Sequence, residues 1–209
     1  MKNRFIAIEG IIGSGKTSLS KLIAEEYNAQ LILETFKDNP FLPLFYKEQE
    51  RYSFPLEMSF LAERYHQLQL QLPVPNLFQA TTIADYIFSK CLIFAKTNLK
   101  DQEFRLYQQF FDIITKNLPK PDLIVYLHLS PENALKNIHK RARSYEQDIS
   151  TDYLQKIQEG YIAFFKQLDL PILMLDTNNI DFVNKKEDLN VILALLNQEY
   201  GKGIHRIIL

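Results

Sequence analysis

The sequence predicts an α/β fold, with a five-stranded parallel sheet wrapped by helices. Three observations predict it. Short apolar runs alternate with longer stretches of helical period, the pattern of parallel α/β folds. The first apolar run leads straight into a glycine-rich loop that opens a helix. The chain has 209 residues, 46% of them hydrophobic, which is enough for one large domain over 1–209 and too little for a multidomain array.

The elements follow in order. The first strand is read at 5–8, Phe5-Ile6-Ala7-Ile8, directly after Met1-Lys2-Asn3-Arg4. That apolar stretch is far shorter than a signal-peptide core or a membrane span, so the expectation is a soluble cytoplasmic protein without a membrane partner. Further strands are expected at 30–33, 81–84, 123–129 and 172–175. The break Pro73-Val74-Pro75-Asn76 reads as a loop. Over 101–118, Phe104, Tyr107, Phe111, Ile114 and Leu118 recur at spacings of three and four, one face of an amphipathic helix packed on the core. Ser130-Pro131-Glu132 starts another helix, with a hydroxyl at the N-cap and proline at N1, followed by Ala134, Leu135 and Ile138. No repeat, low-complexity tract or Gly/Ser linker divides the chain.

Composition narrows the function classes. Twenty-four Lys and Arg against 25 Asp and Glu leave a formal charge of −1, which lacks the basic excess of a nucleic-acid-binding protein, so any anion site must be local. Cys91 is the only cysteine, which excludes an intrachain disulfide framework and a thiolate-rich zinc site and suits a reducing compartment.

The local anion site is legible. Gly10-Ile11-Ile12-Gly13-Ser14-Gly15-Lys16-Thr17 fits the P-loop pattern, between an expected strand and the helical run Leu19, Leu22, Ile23. Glycines let backbone N–H groups close around phosphate oxygens, the helix N-terminus adds positive potential, Lys16 reaches the β- and γ-phosphates, and Thr17 can hold Mg²⁺. A phosphate cradle names the donor and leaves the acceptor open. Glu34 ends the second expected strand, at the sheet edge where open α/β folds bind ligands, and can accept the proton of an attacking hydroxyl; a solvated strand-end glutamate is the alternative. Asp85 ends the third and is suited to bind Mg²⁺, directly or through water, unless it is an ordinary turn aspartate. Lys140-Arg141-Ala142-Arg143 lies between the helix begun at Pro131 and Glu146-Gln147. Arg141 and Arg143 can close over a transferring phosphoryl group as a lid at about 140–150, the alternative being a solvated basic helix end.

With these residues assembled, the sequence resembles the deoxynucleoside kinase family of P-loop salvage enzymes. The resemblance covers nearly the whole chain. It is carried by Gly10 to Thr17, Glu34, Tyr46, Arg51-Tyr52-Ser53-Phe54, Glu57 to Arg64, Asp85, Arg141-x-Arg143-x-x-Glu146-Gln147 and Asp181-Phe182. It implies transfer of the ATP γ-phosphoryl group to the 5′-hydroxyl of a deoxynucleoside by a homodimer. It also implies Glu34 as the base, Tyr46 with Glu146 as the pair holding the 3′-hydroxyl, Arg141 and Arg143 as the lid arginines, and Phe182 as the aromatic on which the ATP base stacks. Two departures stand out. The family often has arginine after the strand-end carboxylate, whereas Tyr86 follows Asp85, so one contact must be supplied differently. Many members have glutamine at the position of Glu57, where the base edge is read.

An ionised Glu57 offers acceptors only and suits guanine, whose N1–H and exocyclic amine are adjacent donors. Arg64 lies seven residues on, about two helical turns, so it is expected to pair with Glu57 or donate to the guanine O6. The order expected is deoxyguanosine ahead of deoxyadenosine, the latter reopened if burial raises the Glu57 pKa. Two rivals share the P-loop. A nucleoside monophosphate kinase of the thymidylate kinase type usually carries an Asp-Arg pair where this chain has Asp85-Tyr86. A regulatory NTPase has no use for a lid arginine pair or for the aromatic-rich segment 41–60.

Overall fold

The computed structural model describes residues 4–35, 39–71 and 81–209, and its strands form a six-stranded, all-parallel sheet. In chain order the elements are β1 (Phe5–Gly10), α1 (Lys16–Glu26), β2 (Gln30–Ile32), α2 (Leu42–Lys47), α3 (Gln49–Gln71), β3 (Thr82–Ala84), α4 (Lys90–Asn98), α5 (Asp101–Ile114), β4 (Leu123–His128), α6 (Pro131–Arg141), α7 (Thr151–Phe165), β5 (Pro171–Asp176), α8 (Lys186–Leu196) and β6 (Gly203–Ile208). Residues 1–3 and 36–38 and the loop expected at 73–76 lie outside the described residues.

The strand order is β2-β3-β1-β4-β5-β6. The chain leaves β1 for one side of the sheet and returns to its other side at β4, so the order reverses at β1, where open parallel sheets hold their ligands. The sixth strand corrects the expectation of five. β6 pairs with β5 alone, and its run is broken by His205 and Arg206, with Arg206 and Ile208 exposed. An edge strand buries too little to leave a continuous apolar signature. The other strands match within one or two residues, except that β2 ends at Ile32, so Glu34 lies two residues past it. The helix expected over 101–118 is α to Ile114 and then tightens into a 3₁₀ turn at Thr115–Asn117.

Alternation along the central strands builds two apolar layers. Leu123, Val125 and Leu127 of β4 join Ile6 and Ile8 of β1 under α1 and α8. Ile124 and Tyr126 face the opposite way with Ala7, against Ile138 of α6 and Leu154, Ile157 and Tyr161 of α7. A third cluster packs α3, α4 and α5 around Leu61, Tyr86, Cys91, Tyr107 and Phe111, and Phe104, Ile114 and Leu118 pack against it as their spacing predicts. Ser130 caps α6, its hydroxyl accepting from the Asn133 N–H at 3.3 Å. Among the described residues no helix is long and apolar enough to cross a membrane.

Gly13 is required by packing and by conformation together. Its φ is +85°, and a Cβ there would stand 2.4 Å from the backbone oxygen of Ala134 in α6. Gly13→Ala should therefore lower the unfolding free energy by about 2–4 kcal/mol, combining left-handed strain with overpacking, as read by urea denaturation. A loss below about 0.5 kcal/mol would contradict this account of the loop.

Candidate active site

The site is built at the carboxyl ends of β1, β2 and β3. Gly15, at φ +93°, turns the chain into α1 so that Lys16 stands at its first residue. The Lys16 ammonium donates to the carbonyls of Gly10 at 2.9 Å and Ile11 at 3.0 Å. Burial, reinforced by the nearby Lys90 cation, lowers its pKa to about 8. Ser14 has a buried hydroxyl without a partner among the described residues, directed at the volume a Cβ on Gly10 would fill.

Asp85 follows β3 and ties two elements together. One carboxylate oxygen accepts from the Thr17 hydroxyl at 2.6 Å and the other from the Glu34 N–H, also at 2.6 Å. The latter bond fixes the chain beyond β2 and so aims the Glu34 side chain.

Glu34 is clamped between two buried cations. Arg64 of α3 donates to Oε1 from Nε at 2.8 Å and from Nη2 at 2.5 Å, and Lys90 at the start of α4 donates to Oε2 at 2.6 Å. Burial alone would raise the carboxyl pKa, but Lys90 and Arg64 outweigh it and hold it at about 2. The structure thus corrects the expected pairing of Arg64 with Glu57: the guanidinium spends Nε and Nη2 on Glu34 and turns Nη1 to Cys91 Sγ at 3.1 Å. Glu57 lies nearby, 1% exposed, with Oε1 accepting from Asn98 at 2.6 Å and Oε2 without a partner among the described residues. Burial pushes its pKa up to about 7 against the Asn98 bond and the Arg64 and Lys90 charges.

These groups share one cavity, walled by Lys16, Thr17, Glu34, Glu57, Arg64, Asp85, Lys90, Asn98, Arg141, Arg143 and Glu146, with Phe45, Phe60, Phe94 and Tyr153 as its apolar faces. The expected lid segment lines it too: Arg141 Nε meets Glu146 Oε2 at 2.7 Å and Arg143 Nη1 meets Oε1 at 3.2 Å, so both arginines hold the buried Glu146. Tyr46 is brought to the lid and not to the cavity wall, its ring stacked on Tyr145 with centroids 6.3 Å apart. Phe182 reaches the P-loop but is 7% exposed, packed in the core beneath α1 and α8 with its ring 2.9 Å from where a Gly15 Cβ would stand.

Sequence reading missed Lys90, Asn98, Phe94 and Tyr153. Lys90 alone carried a signal, a lysine at the first residue of a helix in an apolar stretch, where the macrodipole disfavours a cation. Tyr86 does not occupy the site. It is fully buried and donates to Gln67 at 2.9 Å, so it makes no contact in the cavity.

A model of the family described as deoxynucleoside kinase matches residues 6–199. The chain belongs to that family. Similar proteins include a deoxyguanosine kinase of Bacillus subtilis, 37% identical over 91% of this chain and 94% of its own length. A deoxyadenosine kinase of Dictyostelium discoideum is 31% identical over 93% and 80%. Among solved structures, deoxyadenosine kinase from M. mycoides with bound dATP superposes with a TM-score of 0.80 at 27% identity, over 93% of this chain and all of that one. As a deoxynucleoside kinase the chain is a phosphotransferase acting on deoxynucleosides, and the monophosphate kinase and regulatory NTPase readings give way.

The buried Glu57 sets a pH dependence of stability in this kinase. Its folded pKa near 7 exceeds the ordinary value near 4.5, so between those pH values the folded chain keeps a proton that the unfolded chain releases, and stability falls as pH rises. The full decline is about 3 kcal/mol. Glu34, held near 2, is ionised in the folded chain across this range and adds only a small opposite slope near pH 5, where the unfolded chain still binds some proton. Burial also pushes the Glu9 carboxyl up, which adds to the decline, so Glu57→Gln should reduce it between pH 5 and 7.5 in urea unfolding without abolishing it, and an unchanged slope would refute the assignment.

Proposed function

We propose that this kinase transfers the γ-phosphoryl group of ATP to the 5′-hydroxyl of a purine deoxynucleoside, deoxyguanosine ahead of deoxyadenosine, in cytoplasmic nucleotide salvage. The observation that carries the base preference is the buried Glu57 carboxylate, one oxygen on Asn98 and the other unpartnered at the cavity wall. Guanine brings two adjacent donors to such an acceptor, and a buried acceptor left unpaired costs about 1–3 kcal/mol. The deoxyguanosine kinase of B. subtilis points the same way.

Around that base position each residue has a role. The backbone of Gly10, Gly13, Ser14 and Gly15 cradles the triphosphate, with Lys16 leaving its two carbonyls for phosphate oxygens. Phe182 flanks the donor base beyond Gly15. Glu34 receives the proton of the 5′-hydroxyl, and its low pKa suits a loose transition state in which the hydroxyl becomes acidic only as its bond to phosphorus forms. Glu146 takes the 3′-hydroxyl, with Tyr46 behind it at the lid and off the cavity wall, and Arg141 and Arg143 turn to the transferring phosphoryl group. The Thr17 hydroxyl and Asp85 carboxylate, hydrogen-bonded to each other at the P-loop, are the hard oxygen donors that Mg²⁺ takes alongside phosphates, and they fit it. Thr17 and Asp85 would hold Mg²⁺, which would supply charge neutralisation of the phosphates.

The assembly in this reading is a homodimer. Leu106, Phe110 and Ile113 form an exposed stripe along α5 at spacings of four and three, and a second copy of the same helix would cover it. Phe110→Glu with Ile113→Glu should convert the dimer to monomer in sedimentation velocity, and an unchanged mass would remove this face from the interface.

Two kinetic experiments test the chemistry. Glu34→Gln should lower kcat by roughly 10² to 10⁴ with a far smaller change in nucleoside affinity; equal losses in both would make Glu34 a binding residue. Ionised Glu57 accepts from guanine, whereas protonated Glu57 donates to adenine, so the ratio of kcat/KM for deoxyguanosine over deoxyadenosine should rise with pH through 7, by up to about tenfold per unit. Glu57→Gln should abolish that dependence, and an unchanged ratio in the wild type would remove Glu57 from base reading.

A further inference from the structure

A carboxylate offers four lone-pair positions, two on each oxygen. On Glu34, Arg64 fills both positions of Oε1 through Nε at 2.8 Å and Nη2 at 2.5 Å. Lys90 fills one position of Oε2 at 2.6 Å. The acceptor position left over, among the described residues, is the second one on Oε2, and a hydroxyl that gives its proton to Glu34 must arrive there. Its oxygen then lies beside the Lys90 ammonium.

Lys90 is held where a cation is otherwise disfavoured. It is 5% exposed, stands at the first residue of α4 at the positive end of the helix macrodipole, and packs over the Phe94 ring at 5.4 Å, yet it lines the cavity. Among the described residues its ammonium donates once, to Glu34, which leaves two N–H groups for further acceptors. Lys16, Arg64 and Lys90 stand on the cavity wall with Arg141 and Arg143, against the carboxyl groups of Glu34, Glu57, Asp85 and Glu146. With Arg64 spent on Glu34 and Cys91, Lys90 is the cation beside Glu34 that has N–H groups to give an oxygen of an incoming phosphoryl group.

We propose that Lys90 is a catalytic cation of the transfer, binding Glu34 Oε2 and an equatorial oxygen of the transferring phosphoryl group from the acceptor side. This rests on Glu34 receiving the hydroxyl proton. In the step, the bond from the 5′-oxygen to the γ-phosphorus forms and the bond from the γ-phosphorus to the bridging β–γ oxygen breaks, its electron pair leaving with ADP. The hydroxyl proton passes to Oε2. Lys90 stays protonated throughout and stabilises charge on the group in flight, opposite Lys16 on the donor side.

The test compares Lys90→Gln, Lys90→Arg, Glu34→Gln and the double variant Glu34→Gln/Lys90→Gln. Turnover is followed with ATP and deoxyguanosine, and deoxynucleoside affinity is measured by calorimetry without ATP. Lys90→Gln should lower kcat by about 10² to 10³ while the calorimetric Kd moves less than about threefold. Lys90→Arg, which keeps the charge, should recover at least about tenfold of that loss, and the double variant should be at least about tenfold slower than Glu34→Gln alone, because the phosphoryl contact of Lys90 is lost whether or not residue 34 takes the proton. Undiminished kcat in Lys90→Gln, or Kd and kcat worsening together, would overturn the proposal. Should Lys90→Gln not fold, an Arg variant that folds with kcat near wild type supports it and one with turnover as low as Glu34→Gln refutes it. If Glu34→Gln turns over normally while Lys90→Gln does not, the base reading fails and the phosphoryl contact of Lys90 stands; the reverse pattern sinks Lys90 alone.

Discussion

The clamp on Glu34 is the constraint around which the rest of the site is arranged. One buried carboxylate meets two buried cations from different helices, Arg64 from the middle of α3 and Lys90 from the start of α4. Removing one member of such a buried set typically costs 3–5 kcal/mol, because the remaining charges lose their compensation in a medium that cannot hydrate them. The clamp therefore fixes the relative positions of β2's exit, α3 and α4 around the cavity.

The sheet delivers the parts to one rim. β1 hands over the P-loop, the chain after β2 hands over Glu34, and the turn after β3 hands over Asp85, each because parallel strands end together at one edge. Glu9, the last residue before Gly10, braces this rim from below. Its buried carboxylate accepts from the Ile87 N–H at 2.8 Å and the Tyr161 hydroxyl at 2.7 Å, joining β1, the β3–α4 turn and α7 beneath the cavity. The layer that bears the chemistry is thus anchored by polar bonds within an otherwise apolar core, where a satisfied network specifies one arrangement.

Much of this was legible in the chain. Wherever local chemistry dictates structure, the sequence reading matches: the P-loop between strand and helix, the Ser130-Pro131 start of α6, and the apolar face of α5. Its misses share a cause. β6 is an edge strand whose neighbours contribute half its order, and Lys90, Asn98 and Phe94 acquire meaning only when α4 is laid against Glu34 and Glu57. The pairing choice of Arg64 was equally invisible. Spacing puts it on the Glu57 face of α3, but the tertiary fold offers Glu34, an ionised partner, where Glu57 holds its proton up to about pH 7.

The contact between Gly13 and α6 makes that helix a ruler. Ala134 touches the loop, the Asn137 side chain donates to the Gly13 carbonyl at 2.9 Å, and four residues later the same helix ends in Arg141. Cradle and lid are thereby spaced along one rigid rod, about 10 Å from Ala134 to Arg141 at 1.5 Å per residue. The rod also sets an angular phase. Adding or deleting one residue between those points would shift Arg141 by only about 1.5 Å along the axis but swing it through about 100°, away from Glu146 and the cavity it lines. Residues between Ala134 and Arg141 can thus be exchanged for others of like character, but their number is fixed.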